Sequence, residues 1–232
     1  MENILFPFWM EIDAGNLRHN VEVLKNWSSS SLMAVVKSEA YGHGWEAVKL
    51  LYDYGLRKFG VASVEEAHEL RKRGLRGDIY LLGGFFTEEA ETIIKEQLTP
   101  VISSGEELQA LEEVARRAGK VISFHLKVDT GMGRMGFLPQ EINDEWWRKW
   151  GGNHNLSLRG VMTHFASAES DPAYTRFQFD HFLSFLHQFP ESNPSWERHC
   201  CNSAAFLSFP EMHLDLSRVG IAFWGVSPWG RE

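Results

Sequence analysis

The stretch LMAVVKSEAYGHG, residues 32–44, joins five apolar residues to a lysine and a turn framed by glycines. The apolar run 32–36 is short and β-rich, which is typical of a strand buried on both faces. Lys37 follows directly, and a lysine there is costly to desolvate unless its amine has a use. Gly42 and Gly44 permit backbone turns and a close approach to a ligand.

The composition is that of an ordinary globular protein. Its 232 residues are 44% hydrophobic and 23% charged, enough for one large core or two small ones. The net charge is −8 and no basic run occurs, which argues against nonspecific nucleic-acid binding. No basic n-region precedes the N-terminal apolar residues, and no apolar run is long enough for a membrane. Because the only cysteines, Cys200 and Cys201, are adjacent, we predict reduced thiols and a cytoplasmic protein.

β-rich runs alternate with helical patterns along nearly the whole chain. Ser63, with Glu66 three residues on, and Ser103–Ser104 are typical of helix starts. Repeated strand–helix units favour parallel pairing, as an open doubly wound sheet or a (β/α)8 barrel of about 250 residues. The nine predicted strands are residues 8–12, 32–36, 59–62, 79–82, 99–102, 121–128, 158–163, 198–201 and 214–219. A barrel needs one fewer, and the first run is the one that could lie elsewhere.

Polar side chains at the ends of these runs favour the barrel. In barrels, catalytic groups sit where strands end and loops begin. The residues in such positions are Lys37, Asp129, His164, Asn202 and Arg218. Five such residues predict one shared site on the carboxyl face of an α/β, TIM-type barrel.

The stretch VISFHLKVDTGMGRMGF, residues 121–137, places ionisable groups on one strand face. By strand alternation, His125, Lys127 and Asp129 point together into the barrel. Such groups need partners, so Lys127 and Asp129 either pair with neighbouring strands or serve a site. The glycine-rich loop that follows presents Arg134, whose guanidinium suits an anionic oxygen. A flexible loop with a solvated arginine explains that segment equally well.

The other candidates each have a simpler structural explanation. Lys37 is either a desolvated amine that forms a Schiff base with an aldehyde, or a surface lysine that reaches water. Asn202 and Ser203 begin a helix, where they could bind phosphate or act as a cap. Arg218 precedes Gly220, whose backbone could supply further N–H donors. No metal-ligand spacing, nucleophile elbow, Walker loop or dinucleotide fingerprint occurs.

Taken together, these segments resemble the alanine racemase family of fold-type III pyridoxal-phosphate enzymes. The matching stretches are WMEIDAGNLRHN, AVVKSEAYGHG, HLKVDTGMGRMGF, GVMTHFASAE, HCCNSAAF and DLSRVGIAFWG. They occur in the family's order and spacing and span nearly the whole chain. The lysine motif and the GMGRMG loop are the most specific of them.

The resemblance implies a cofactor, pyridoxal 5'-phosphate, held by Lys37 as an internal aldimine, and Lys37 as one of two racemisation bases. Arg218 would face the pyridine nitrogen, oriented by His164, and would limit the electron-sink character of the ring. Arg134 would bind the phenolic oxygen. Lys127 would lie behind Arg134 and is carbamylated in many relatives. The implied reaction interconverts L- and D-alanine by removing the α-proton on one face and returning it on the other.

The same resemblance implies a phosphate-binding group. Tyr41, Ser203 and the backbone of Gly220 and Ile221 would hold the phosphate, and Asn202 is placed with them as a cofactor-binding residue. Three positions depart from the family pattern: Glu39, Val219 and Trp224.

The resemblance also implies a domain that this chain does not contain. Family members continue into a β-rich C-terminal domain, which carries the tyrosine that acts as the opposite base from the partner subunit of a homodimer. None of the five tyrosines matches it. We therefore expect residues 1–232 to be the barrel domain alone, impaired in two-base racemisation. Two alternatives are a non-catalytic pyridoxal-phosphate carrier of single-domain type and a relative of serine racemases. Neither nucleic acid nor membrane is an expected partner.

Overall fold

The computed structural model describes residues 10–188 and 196–230, which form eight parallel strands with helices between them. The strands are β1 Ser31–Val35, β2 Lys58–Val61, β3 Asp78–Leu81, β4 Leu98–Ile102, β5 Ile122–Lys127, β6 Leu156–Met162, β7 Glu197–His199 and β8 Leu216–Val219. The helices are α1 Ala14–Trp27, α2 Lys37–Tyr41, α3 Gly44–Asp53, α4 Val64–Lys72, α5 Ala90–Lys95, α6 Gly105–Ala118, α7 Asp144–Trp146, α8 Pro172–Leu186 and α9 Ser203–Ser208.

The strands form one nearly closed barrel, so the predicted fold is confirmed. Their order is β7-β6-β5-β4-β3-β2-β1-β8, with every recorded pair parallel. Between the first and last strands of that order, the Asp215 N–H donates to the Arg198 carbonyl at 3.1 Å, and the Arg218 N–H donates to the Cys201 carbonyl at 3.1 Å. Eight of the nine predicted runs coincide with strands. In the ninth, Phe8 and Trp9 lie outside the described residues, and residues 10–12 belong to no strand.

The side chains of β5 alternate between the two sides of the barrel wall, as predicted. Phe124 and Leu126 belong to the large apolar cluster between strands and helices, whereas His125 and Lys127 are buried without belonging to it. A small cluster of Met33, Tyr80 and Leu216 fills part of the barrel interior. The interior is therefore partly polar, and it leads directly to the carboxyl face.

Two predicted helix starts are confirmed by their caps. The Ser63 hydroxyl accepts a hydrogen bond from the Glu66 N–H, and the Ser104 hydroxyl accepts one from the Glu107 N–H. Ser104, not Ser103, is the capping residue of α6. These caps fix the residues at which α4 and α6 begin. The carboxylates of both glutamates point back toward the strand ends.

Candidate active site

A cavity of about 650 Å³ opens at the carboxyl ends of the strands. All ten residues that the sequence singled out as cofactor-binding or modified line it: Lys37, Tyr41, Lys127, Arg134, His164, Asn202, Ser203, Arg218, Gly220 and Ile221. They come from five different strand ends, as expected for a barrel enzyme site. Their proximity is a property of the fold, and their roles stay predictions.

Lys37 is followed by a left-handed turn. Ser38, Glu39, Ala40 and Tyr41 all have φ between 51° and 57°, a left-handed turn built without glycine. Each such residue costs roughly 1–2 kcal/mol relative to the right-handed form. Backbone strain of this kind is concentrated at functional sites. Of the two explanations of Lys37, the structure favours the exposed lysine: its side chain is exposed and reaches the cavity, with Nζ 5.9 Å from the centre of the Tyr41 ring. Its role as a Schiff-base lysine stays a prediction.

Glu66 of α4 stabilises this turn. Its carboxylate accepts hydrogen bonds from the Ser38 N–H at 2.6 Å and from the Ala62 N–H at 2.7 Å. It thereby joins the ends of β1 and β2, and within the turn the Ala40 N–H donates to the Val36 carbonyl at 2.8 Å. Hydrogen bonds to a charged acceptor are stronger than neutral ones. Glu66 thus helps to hold the strained turn that directly follows Lys37.

Arg218, at the end of β8, is buried and held on several sides. Its Nη2 donates to the Thr163 carbonyl at 2.9 Å and to the Cys200 carbonyl at 3.1 Å. Its two terminal nitrogens also contact Nδ1 of His164 and of His199, at 3.1 and 3.0 Å. Burial lowers the pKa of Arg218 to about 10, so the guanidinium remains a cation at neutral pH. It therefore presents a fixed positive charge to the cavity.

The contacts of Arg218 favour one state of both imidazoles. A guanidinium only donates, so it favours rings of His164 and His199 whose Nδ1 accepts. Burial, followed by the Arg218 charge, holds the pKa of His164 and of His199 well below the ordinary value. Both rings are therefore neutral, and they do not compete with Arg218 as cations.

Lys127 and Arg134 add two more positive groups. Burial, then the charges of Arg134 and Arg218, lowers the pKa of Lys127 to about 8. Glu169 is the one carboxylate among the described residues that line the cavity, against four basic groups including Lys37. A protein with a net charge of −8 therefore has a cationic cavity, which suits an anionic ligand.

Lys127 is expected to form a carbamate with dissolved CO2. A neutral amine adds to CO2 with formation of an N–C bond and release of one proton, and a pKa of about 8 leaves a substantial neutral fraction near neutral pH. With ¹³C-labelled bicarbonate, a carbamate NMR signal should grow as the pH rises through about 8 and be missing in Lys127→Met. A signal that persists in Lys127→Met, or none in the wild type about one unit above that pKa, would contradict this assignment.

The cavity also carries hydroxyl and backbone groups. The Ser203 hydroxyl accepts from the Gly220 N–H at 3.0 Å, which ties the start of α9 to the end of β8. The Asn202 side chain caps α9 by accepting from the Ala205 N–H at 2.9 Å. A Cβ on Gly220 would lie 2.5 Å from the Tyr41 hydroxyl. The glycine thus leaves room for Tyr41 to enter the site.

Asp129 corrects one expectation. It does not pair with a neighbouring strand, and it does not line the cavity. Its carboxylate accepts from the N–H groups of Gly131, Met132 and Gly133, at 2.8–2.9 Å, and so shapes the loop that presents Arg134. This is the ordinary turn-forming behaviour of aspartate.

Several site features had no assignment from the sequence. Glu66 was visible only as part of a helix-start pattern, and Glu169 and His199 carried no signal beyond their positions near strand ends. His199 lies at the end of β7 and contacts Arg218, a partnership that no spacing rule shows. Among residues 10–188 and 196–230, no cluster of side chains could hold a metal ion, and no helix is long and apolar enough to cross a membrane.

Comparison with known proteins identifies the family of this barrel. Residues 12–228 match the family "Alanine racemase, N-terminal domain". The alanine racemase of Methanococcus maripaludis is 37% identical over 227 residues, which are 96% of this chain and 61% of the relative. The alanine racemase of Clostridium difficile 630 superposes with a TM-score of 0.89 at 33% identity, covering 97% of this chain and 60% of that one. That of Bartonella henselae, solved with covalently bound pyridoxal phosphate, gives 0.84 at 26% identity, covering 95% and 61%.

The chain spans about three fifths of the length of these relatives. The match extends through every strand of the barrel and both ends of the cavity. The sequence identity and the shared fold agree, and the resemblance inferred from the motifs is confirmed. The chain belongs to the alanine racemase N-terminal domain family.

Proposed function

We propose that this barrel binds pyridoxal 5'-phosphate at Lys37 and carries out the proton-transfer chemistry of an alanine racemase. The observation that carries the proposal is the convergence of Lys37, Arg134 and Arg218 in one cavity with a hydroxyl-lined end. The relatives' names support alanine as the substrate. The Bartonella henselae structure supports the cofactor.

The charge of the cavity fits this cofactor. Pyridoxal phosphate carries a phosphate dianion and a phenolic oxygen, and the cavity offers four basic groups against one described carboxylate. Its volume of about 650 Å³ lies within the range of small-molecule sites. An anionic ring compound of this size is therefore a matching ligand.

The polar end of the cavity fits a phosphate. Tyr41 and Ser203 supply hydroxyl groups, and the backbone at Ile221 borders the same space. Any side chain at Gly220 would collide with the Tyr41 hydroxyl, so the close approach depends on glycine. Small residues beside hydroxyl donors are what a tetrahedral oxyanion requires.

Lys37 would both hold the cofactor through Nζ and move the α-proton of the substrate. When bound, pyridoxal phosphate draws electrons from the α-carbon of an amino acid and makes its α-proton acidic. The left-handed turn presents Lys37 at the mouth of the cavity, where its amine can reach such a carbon. Glu66 keeps that turn in place through two short hydrogen bonds.

Arg218 and Arg134 would tune and orient the bound ring. A fixed guanidinium beside the pyridine nitrogen disfavours protonation of that nitrogen, which limits side reactions. His164 would help to orient Arg218 through the 3.1 Å contact. Arg134 would bind the phenolic oxygen, and a carbamate on Lys127 would give Arg134 an anionic partner.

We further propose that the barrel by itself transfers protons mainly on one face of the substrate. In the family that the motifs resemble, the opposite base would be a tyrosine from a C-terminal domain of the partner subunit of a homodimer. Residues 12–228 match the barrel part of the relatives, and the base that they contribute to this proposal is Lys37.

The test is to incubate the chain with pyridoxal phosphate and, in separate reactions, L-alanine and D-alanine in heavy water. One of the two enantiomers should gain deuterium at the α-carbon faster than it is converted into the other, because Lys37 returns a deuteron to the face from which it removed the proton. Mass spectrometry measures deuterium, and chiral chromatography measures the opposite enantiomer. Separately supplied C-terminal domain of a relative should raise the rate of interconversion.

Two outcomes would contradict the proposal. Cofactor binding without any exchange would favour the non-catalytic carrier. Faster exchange with serine than with alanine would favour the serine racemase relative.

A further inference from the structure

A chain of polar side chains runs through the barrel interior from Arg218 toward the opposite, amino-terminal end. Arg218 contacts Nδ1 of His199, and Nε2 of His199 lies 2.8 Å from Nδ1 of His125. Nε2 of His125 lies 3.9 Å from Oε2 of Glu197, beyond direct hydrogen-bond distance, so this last contact is electrostatic. Both histidines are buried, and Glu197 stands at the amino end of β7. This series of side chains therefore links the candidate cofactor site to a carboxylate at the far end of the barrel.

Glu197 is itself held from across the barrel. Its Oε1 forms an ion pair with Lys58 at the start of β2, and its Oε2 accepts from the Tyr80 hydroxyl at 3.4 Å. The Glu197 and Lys58 side chains are 30% and 20% exposed, so the pair is shielded from solvent on most sides. Glu197 of β7 is thus bound to β2 and β3, which lie on the opposite side of the barrel.

The backbone makes room for this arrangement. The register between β5 and β6 shifts between Phe124 and His125, so that His125 pairs with Gly160. A Cβ on Gly160 would lie 2.5 Å from the His125 ring and 2.7 Å from the Glu197 carbonyl. A side chain there would displace either the imidazole or β7. Gly160 and the shift in strand register therefore both make room for the His125 ring.

The donors and acceptors at the two ends of this series favour one direction of its hydrogen bonds. Arg218 has no acceptor, which favours a His199 ring that accepts at Nδ1 and donates from Nε2. Glu197, which as a carboxylate only accepts, favours a His125 ring that turns its Nε2–H toward it and accepts at Nδ1 from His199. Burial, with the charges of Lys58 and Arg218, lowers the pKa of His125 to about 3, so neither ring gains a second proton that would break the order.

We propose that Glu197 is a positioning residue for Arg218, acting through His125 and His199 by fixing the tautomers of both rings. An acceptor-only group at one end and a donor-only group at the other leave one arrangement of protons. His199 then always meets Arg218 with a nitrogen lone pair, which adds to the hold of the Thr163 and Cys200 carbonyls on the guanidinium. The consequence for the cofactor rests on the function proposed above.

The test uses the whole chain labelled with ¹⁵N-histidine, without cofactor, and long-range ¹H–¹⁵N NMR to locate each ring proton. In the wild type, His125 and His199 should both be neutral with the proton on Nε2. In Glu197→Gln the amide can also donate, so a Nδ1–H form of His125 should appear at about one tenth or more. Glu197→Asp, which keeps an acceptor-only group, should restore the wild-type pattern.

A matched control and a second readout separate positioning from general stability. Glu211→Gln removes an exposed glutamate that pairs with Arg176 outside the barrel, and it should leave both tautomers unchanged. Glu197→Gln should weaken pyridoxal-phosphate binding about tenfold, because Arg218 is no longer held in one orientation, whereas Glu211→Gln should not.

The proposal is overturned if either wild-type ring carries its proton on Nδ1 or is charged at neutral pH. It is also overturned if Glu197→Gln changes neither the tautomers nor the affinity. Failure of the wild type to bind pyridoxal phosphate would instead overturn the proposed function, and the tautomer result would stand by itself.

Discussion

Replacing Lys37 with alanine is expected to abolish the reaction of this chain with alanine. Lys37 is placed both to hold the cofactor and to move the α-proton, so the substitution removes two contributions together. General base catalysis alone is worth about 100- to 10,000-fold, so deuterium exchange into the alanine enantiomer that the wild type labels should fall at least about 1,000-fold. The measurement is exchange in heavy water at saturating pyridoxal phosphate.

Lys49→Ala is the matched control for this prediction. Lys49 is an exposed lysine on α3 that pairs with Asp53, and it lies outside the cavity lining. Its loss should leave exchange unchanged. If Lys37→Ala retained more than about a tenth of the wild-type exchange rate, another base would have to be at work and the assignment would fail.

The second large effect is expected at Glu66, in the stability of the fold. Glu66→Gln keeps the shape, but one amide oxygen cannot accept from both Ser38 and Ala62, so a backbone N–H would face an NH2 group. Losing a charged acceptor and leaving a donor unpaired should cost about 2–4 kcal/mol of the free energy of unfolding. Urea unfolding measures this as a lower midpoint with an unchanged slope.

Glu65→Gln provides the comparison. Glu65 is the exposed neighbour in the first turn of the same helix, so both variants lose the same favourable charge near the start of α4. The extra cost in Glu66→Gln therefore measures the two hydrogen bonds to the strand ends. A difference under about 0.5 kcal/mol between the variants would show that Glu66 does not stabilise the left-handed turn.

The barrel was predictable because local pattern and overall fold agree. Short apolar runs that alternate with amphipathic helices, two of which begin at a serine cap, encode parallel strands with helical crossovers. The inward face of β5 followed from alternation alone. The one excess strand came from the apolar residues at the N-terminus, which resemble a strand in composition but have no strand partner in residues 10–12.

The site was predictable where a residue carries its chemistry in its own motif. Lys37 and Arg218 stand at strand ends, and Arg134 stands in a glycine-rich loop. All three line the cavity. The left-handed turn was not predictable, because Ser38 and Glu39 have no intrinsic preference for positive φ. Tertiary hydrogen bonds from Glu66 help to impose it.

The interior polar chain was beyond sequence reasoning for a different reason. Glu197 and Lys58 are 139 positions apart, and Glu197 contacts Tyr80 across 117. Nothing in the local pattern around Glu197 differs from that of an ordinary strand start. Only closure of the barrel brings these side chains together, so their partnership is a consequence of the fold.

The central claim is that Lys37 holds pyridoxal phosphate, and covalent trapping tests it most directly. The chain is mixed with pyridoxal phosphate, reduced with borohydride, digested and mapped by mass spectrometry. We predict one dominant adduct, on Lys37, which disappears in Lys37→Ala and persists in Lys49→Ala. An adduct spread over surface lysines, or one that survives in Lys37→Ala, would contradict the account.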